Sequence, residues 1–318
     1  MTSSALTQSL DDQHTWPLYS VTQTQSVEKQ TQVELPHHTL MQRAGLATAQ
    51  LALAITPHAD DIWIACGPGN NGGDGLEAAI HLKAWGKKPY VTWLGNGGAP
   101  TDAQEAWRRA IAADVSIQTQ APKTFDLAID ALLGIGATRA PDATMSNWLD
   151  LMEQSQKPML CVDLPTGLLA DTGEWLGTST PRFIHRHTLS LLTLKPGLFT
   201  ASGRDAAGRV WFNDLGIKTS LPPSAWLQHA QAMRPPNAHA SHKGSWGDVS
   251  ILGGADGMSG AAALAGVAAL HGGAGRVFVG LLDETSRHGV LAVNPALMAR
   301  SPDDLDYTTS TVVCGCGG

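Results

Sequence analysis

The run Gly67-Pro68-Gly69-Asn70-Asn71-Gly72-Gly73-Asp74-Gly75 constrains this chain more than any other feature. It follows the apolar stretch Ile62-Trp63-Ile64-Ala65-Cys66, and Leu76 to Trp85 beyond it reads as a helix. A strand that empties into glycines and re-emerges as a helix is a βα unit. Glycine permits positive φ and close backbone approach, and the following helix offers unpaired N–H groups to an anion. The chain is therefore expected to be α/β, with a phosphate-bearing ligand at the turn.

The neighbouring sequence repeats the pattern. Leu40, Met41, Ala44, Ala47 and Leu51 recur at helical spacing from Thr39 onward, whereas the segment up to about Gln32 is polar and reads as loose, with Trp16-Pro17-Leu18-Tyr19 as an anchor. Pro89 to Leu94 reads as a strand, and Thr101-Asp102-Ala103-Gln104 as a capping box opening a helix through about Ala112. Phe125 to Ile129, Met159 to Val162 and Thr188 to Leu192 are further short apolar runs bounded by Gly or Pro. Short strands alternating with helices predict a parallel sheet covered on both faces, a doubly wound, Rossmann-like domain.

With 318 residues the chain has room for two domains. Pro222-Pro223 and Pro235-Pro236 bracket a polar stretch, so 218–240 reads as a linker. A second βαβ start follows, with Val249 to Leu252, a helix from about Ser259 to His271, and Gly275 to Leu281, and residues 241–318 read as an incomplete α/β segment.

The net charge of −7 and the lack of a Lys/Arg cluster argue against nucleic acid as partner, leaving a small molecule. Cys66, Cys161, Cys314 and Cys316 form no disulfide framework or metal spacing. No secretory signal is apparent in residues 1–19, and the apolar stretch Met258 to Leu270 is too short for a membrane span of ~20 residues. A cytoplasmic homo-oligomer that binds no membrane is expected.

Gly67, Gly69 and Gly72 satisfy G-x-G-x-x-G. An ordinary dehydrogenase also expects a carboxylate at the end of the second strand, and Trp93-Leu94-Gly95-Asn96 has none, which disfavours an NAD-dependent oxidoreductase. Asn70, Asn71 and Asp74 are more than a pyrophosphate cradle needs, although Asp74 has a second reading as a helix N-cap and the asparagines as turn formers.

Gly-Pro-Gly-Asn-Asn-Gly-Gly-Asp-Gly-Leu resembles the signature loop of the NAD(P)H-hydrate epimerase family, the YjeF N-terminal domain. Thr39 to Gly45, Asp130-Ala131-Leu132-Leu133-Gly134-Ile135-Gly136, Asp163-Leu164-Pro165-Thr166-Gly167 with Asp171-Thr172-Gly173, Thr193-Leu194-Lys195-Pro196-Gly197 and Gly203-Arg204-Asp205 match further family motifs in order, placing the domain at 16–217. The resemblance implies epimerisation at C6 of the R and S forms of NAD(P)HX, the hydrated cofactors, as metabolite repair. It implies substrate contacts by Asn70, Asn71, Gly72, Gly73 and Asp74, by the loop Gly134, Ile135, Gly136, Ala137, Thr138, Arg139 and Ala140, and by Asp163. Arg139 is the candidate phosphate partner. Asn71, Asp130 and Thr166 would bind K+, Thr166 standing where the family usually has Ser; hard oxygen ligands suit a hard cation. Asp163 is the candidate general acid/base, since a carboxylate at a parallel-strand C-terminus faces the crevice, with a structural turn as its other reading.

His242-Lys243-Gly244, Gly253 to Ala262 and Asn294 to Met298 resemble the opening of the ribokinase-like, ADP-dependent NAD(P)H-hydrate dehydratase domain, which implies a substrate contact at Ala261. No Gly-x-Gly-Asp segment follows Gly260, and Gly315 to Gly318 fall where that family has a Gly-Pro-Gly-x-Gly loop. The dehydratase part is thus expected to be truncated, with ADP and Mg2+ cofactors only of a complete domain. The alternative overall is a non-catalytic nucleotide-binding or scaffold protein of the same fold.

Overall fold

Two strings of alternate residues on the strand Asp61–Cys66 show how the chain builds its layers. Ile62, Ile64 and Cys66 are buried in one hydrophobic cluster, and Trp63 and Ala65 in another, so both faces of this strand are covered. The computed structural model describes residues 6–10, 14–95, 99–177, 185–228 and 240–318. The chain divides into two units, 1–231 and 232–318.

In the first unit the elements run β1 (Gln8–Ser9), β2 (Trp16–Leu18), α1 (Val21–Glu34), α2 (Thr39–Ile55), β3 (Asp61–Cys66), α3 (Asn70–Ala84), β4 (Lys88–Trp93), α4 (Thr101–Ala112), β5 (Ser116–Gln118) and β6 (Leu127–Ala131). They continue with α5 (Ala143–Gln154), β7 (Met159–Val162), β8 (Arg186–Leu191), α6 (Gly203–Ala206), β9 (Arg209–Asn213) and β10 (Ala225–Leu227). Eight strands form one sheet in the order β1-β9-β8-β7-β6-β3-β4-β5. All its pairs are parallel except β1 with β9. The chain moves outward from β3 through β4 to β5, then returns to the other side of β3 with β6 and proceeds to β9. The direction of winding therefore reverses between β3 and β6.

One face carries residues of α2, α3 and α4, among them Ala47, Leu51, Leu76, Leu82 and Ala106, against Ile62, Ile64, Val91 and Ile129. The other face is covered by α5, whose Met145, Trp148 and Met152 pack on Trp63 and Met159. Each such fully buried aliphatic side chain contributes roughly 1.5–3 kcal/mol relative to exposure. α2 lies close on α3 because position 45 is glycine: a Cβ there would stand 2.3 Å from Glu77 Cβ.

Several elements differ from the sequence reading. The N-terminal segment expected to be loose contains α1, opened by a capping box in which Gln23 N donates to Ser20 Oγ at 3.3 Å and Ser20 N donates to Gln23 Oε1 at 2.9 Å. The box expected at Thr101 does not form: Thr101 is already helical, Pro100 is the cap, and the Gln104 amide donates to Ala99 O instead. The sequence pattern does not disclose β5, α5 or β9. Between β7 and β8 the described residues hold turns and a bridge, Leu168 with Trp175, rather than a covering helix. Within the stretch expected as linker, Ala225–Leu227 is a strand paired antiparallel with Trp16–Leu18, so the Trp16 anchor docks there. Pro235 and Pro236 lie outside the described residues.

The second unit contains β11 (Asp248–Gly253), α7 (Ser259–Gly272), β12 (Arg276–Leu281), α8 (Arg287–Val293), β13 (Met298–Arg300) and β14 (Thr311–Cys316). Its four strands form a parallel sheet in the order β13-β12-β11-β14, with Ile251, Val277, Val279 and Leu281 in its core beside Ala262 and Ala263 of α7. Among the described residues no helix is long and apolar enough to cross a membrane.

Candidate active site

In an open parallel sheet the crevice for a ligand lies beyond the strand C-termini where the winding reverses. Here a cavity of about 490 Å3 lies beside the ends of β3, β6, β7 and β8, walled also by α1, α2 and α4. Its lining includes Asn70, Asn71 and Asp74 of α3, Asp163 after β7 and Lys195 after β8.

The glycine run is less a loop than the first turn of a helix, for α3 begins at Asn70 rather than near Leu76. The N-cap is Gly69, so the reading of Asp74 as a cap is set aside. The glycines explain the tight turn. A Cβ at Gly67 would lie 1.8 Å from Leu132 O, and one at Gly72 would lie 2.0 Å from Gly67 O. Gly72 and Gly73 are buried behind the cavity wall, Gly73 against Met41, and contribute space rather than lining. Trp93, Leu94 and Gly95 put no carboxylate at the end of β4, and Asn96 lies outside the described residues.

Asn71, Asp130 and Thr166 gather around the turn at Leu132–Gly134. Thr166 Oγ1 donates to Asp130 Oδ1 at 2.7 Å, Thr166 N donates to Asp130 Oδ2 at 2.9 Å, and Leu133 N donates to Thr166 Oγ1 at 3.0 Å. Leu132 N completes the set on Asp130 Oδ1 at 3.2 Å. Burial nevertheless raises the Asp130 carboxyl above its ordinary range, with these hydrogen bonds opposing the shift. A Cβ on Gly134 would sit 3.3 Å from the Asn71 carboxamide, whose buried Nδ2 has no hydrogen-bond partner. An orphaned buried amide requires a partner, and the two ends of an amide can exchange places. Asn71 Oδ1, Asp130 Oδ2 and Thr166 Oγ1 keep acceptor capacity, and all are hard oxygen donors. The set fits an alkali cation such as K+. Among the described residues no group of three or more His, Cys, Asp or Glu side chains could hold a metal ion, which separates this site from transition-metal centres.

Asp163 ends β7 with a left-handed backbone, φ 66°, which turns its side chain to a buried partner. Lys195 Nζ donates to Asp163 Oδ1 in a short ion pair, and also to Leu191 O at 2.7 Å; Leu191 N donates to the same carboxylate oxygen at 3.2 Å. Lys195 is 1% exposed, so this pair lies out of bulk solvent. Burial, and then the charges of Asp163, Glu28 and Glu77, hold the Asp74 carboxyl well above the usual carboxylate range, while Lys195 opposes them. Glu28 on α1 is raised too, first by burial and then by Asp163. Four carboxyl groups, those of Glu28, Asp74, Asp102 and Asp163, thus line the cavity with the Lys195 ammonium and the Arg139 guanidinium.

The loop Gly134 to Arg139 lines the same cavity, with Arg139 exposed and Ala140 outside the lining. Asp130 and Thr166 lie behind the wall. Ala261 belongs to the second unit, on the first turn of α7 next to Gly317. Lys195 lies within a recognisable motif but carries no role in the sequence reading, and a lysine so close to a strand end is the available signal. Glu28 has no signal, because nothing in the pattern reveals the helix that carries it. Cys66 and Cys161 are free and fully buried, and burial pushes both thiols far up, which removes them as nucleophiles.

The family model described as YjeF-related protein N-terminus matches residues 37–197. The chain is 36% identical over 273 residues to the bifunctional NAD(P)H-hydrate repair enzyme Nnr of Escherichia coli, covering 81% of this chain and 52% of that protein. It is 34% identical over 282 residues to the enzyme of the same name in Vibrio cholerae, covering 85% and 56%. With the bifunctional NAD(P)H-hydrate repair enzyme of Leishmania braziliensis the identity is 29% over 238 residues, covering 69% and 42%. The chain spans about half the length of the curated relatives it matches. A match to 81% of the chain is longer than the first unit, so the similarity to the Escherichia coli protein reaches into the second. The crystal structure of yeast ynu0 shares the fold at a TM-score of 0.50 and 23% identity, covering 57% of this chain and 82% of its own.

Proposed function

As the chain belongs to the family of YjeF-related N-terminal domains, we propose that its first unit is an NAD(P)H-hydrate epimerase that interconverts the R and S forms of NAD(P)HX at C6. The observation that carries this reading is the convergence of Asn71, Asp74, the Gly134–Arg139 loop and Asp163 on one cavity at the point where the sheet reverses.

In this reading the nucleotide phosphates meet the α3 N-terminus and Arg139. Asp74, kept protonated by burial and its acidic neighbours, donates a hydrogen bond to the ligand without adding charge beside its phosphates. Epimerisation removes the ring hydroxyl from one face and restores it on the other, so a proton must be given and taken. Asp163 exchanges that proton, oriented by Lys195 and the Leu191 amide. Asn71, Asp130 and Thr166 would hold K+, which would supply positive charge to the anionic ligand. The second unit is read as the start of the dehydratase fold of the bifunctional relatives, with Ala261 as a substrate contact.

The test is to mix purified protein with one epimer of NADHX and follow equilibration by chromatography. The rate should exceed the spontaneous one and fall about 100-fold or more in Asp163→Asn. Equilibration at the spontaneous rate with the native chain would refute the proposal. Binding of K+ is checked separately: melting in KCl should occur at a higher temperature than in choline chloride, and Asn71→Ala should remove the difference.

A further inference from the structure

We propose that Glu28 is a second acid/base group of the cavity, acting on the ring face that Asp163 does not serve. The inference rests on the epimerase reading and deepens it.

Inverting one carbon requires chemistry on both faces of a ring, whereas Asp163 reaches the cavity from the sheet edge alone. Glu28 comes from a different wall, α1, and lines the same space. Its position is fixed rather than incidental. Thr24, one helical turn earlier and on the same face, shares a buried 2.7 Å hydrogen bond with Thr193, two residues from Lys195. Tyr19 N donates to Leu194 O at 2.8 Å just before the helix, and Val21 N donates to Asp171 Oδ1 at 2.8 Å. α1 is therefore stapled to the segment that carries Lys195. The orphaned Nδ2 of Asn71, a residue 8% exposed, independently marks the cavity as built for a ligand.

The charged groups acting on Glu28 come from several elements, Asp163 after β7, Lys195 after β8, Asp102 on α4 and Lys29 on α1 itself, and Glu28 in turn raises the Asp74 carboxyl on α3. Burial is the largest influence and favours the protonated form, which suits a proton donor. Asp163, salt-bridged to Lys195, suits the acceptor. In the forward step the Glu28 proton passes to the C6 hydroxyl, the C6–O bond breaks with loss of water, and the ring-nitrogen lone pair forms the C=N bond of an iminium. Water then adds to the other face of C6, the C=N electron pair returns to nitrogen, and the released proton goes to Asp163. One proton has moved from carboxyl to carboxylate, which solvent exchange resets, and no oxidant or reductant is needed. The reverse epimerisation uses the two groups in exchanged roles.

The experiment measures kcat and KM for epimerisation as a function of pH with the full chain, Glu28→Gln and Glu28→Asp, alongside thermal melting of each. Glu28→Gln should lower kcat about 100-fold with KM changed less than about threefold, and remove the alkaline limb of the kcat profile; Glu28→Asp should recover at least about tenfold of the loss. A Gln variant with native kcat and pH profile overturns the role of Glu28 and leaves the epimerase reading intact. A Gln variant whose loss is accompanied by a lowered melting temperature and no recovery in Asp marks Glu28 as packing, and also overturns the proposal. A native chain that fails to speed equilibration overturns both.

Discussion

Buried charge sets the behaviour of single residues in this cavity. Lys195 and Asp163 compensate one another out of solvent, so Lys195→Met leaves an unpaired buried carboxylate and should cost about 3–5 kcal/mol in denaturant unfolding. Asp74 behaves in the opposite sense. Its folded-state pKa is raised, so the native chain holds this proton to higher pH than the unfolded chain does. Its contribution to stability is therefore fully present below the ordinary carboxylate pKa and is lost as pH rises through the raised one. Asp74→Asn should flatten that decline and raise the melting temperature near neutral pH, as differential scanning calorimetry between about pH 4 and 8 would show. Asp163 adds a backbone constraint: both Asp163→Asn and Asp163→Ala strand the buried Lys195 ammonium and should lower the melting temperature, but at φ 66° asparagine is better tolerated than alanine, so Asp163→Ala should melt lower still. Asn71, Asp130 and Thr166 are picked out in the sequence by their resemblance to family motifs rather than by periodicity, which misplaces the helix start that carries Asn71, whereas Asp163 also follows an apolar run that reads as a strand. Lys195 is visible but mute, since pairing across 32 residues is a tertiary fact.

The helices differ in how readily the sequence discloses them. α2 announces itself through Leu40, Met41, Ala44, Ala47 and Leu51, which bury a broad apolar face. α1 buries only Thr24, Val27 and Thr31, because much of what it covers is an open cavity with charged groups in its wall rather than the sheet core. A helix that walls an active site has no apolar stripe to read. The start of α3 escapes the pattern for a related reason: two asparagines and three glycines look like loop, yet they form a helix turn in which Gly72, lacking a side chain, admits the Gly67 carbonyl, as Gly67 just before the helix admits that of Leu132. Gly72→Ala should consequently reduce stability and abolish epimerisation, because its new methyl would meet Gly67 O at 2.0 Å and displace Asn71 with it. Thr24→Val, which keeps the shape of the side chain and removes its bond to Thr193, should cost about 1 kcal/mol and raise KM, as unfolding and steady-state kinetics would reveal.

For the molecule as a whole, the alternation of strand and helix is enough to expect a parallel sheet, whereas the antiparallel pairs β1 with β9 and β2 with β10 join segments too short and too far apart for periodicity to show. All the residues lining the cavity lie between Thr24 and Leu215, inside the first unit. Residues 1–231 expressed alone should therefore retain the native epimerisation rate, and a loss there would show that the second unit contributes to the site. The staple between Thr24 and Thr193 spans 169 residues, and it has a consequence in time. During synthesis at about 5–20 residues per second, α1 leaves the ribosome many seconds before its partner is made. The wall bearing Glu28 must wait for β8, so the sheet can be largely assembled before the cavity is closed. A helix with few apolar side chains is well suited to that wait, since it offers passing chains little to stick to.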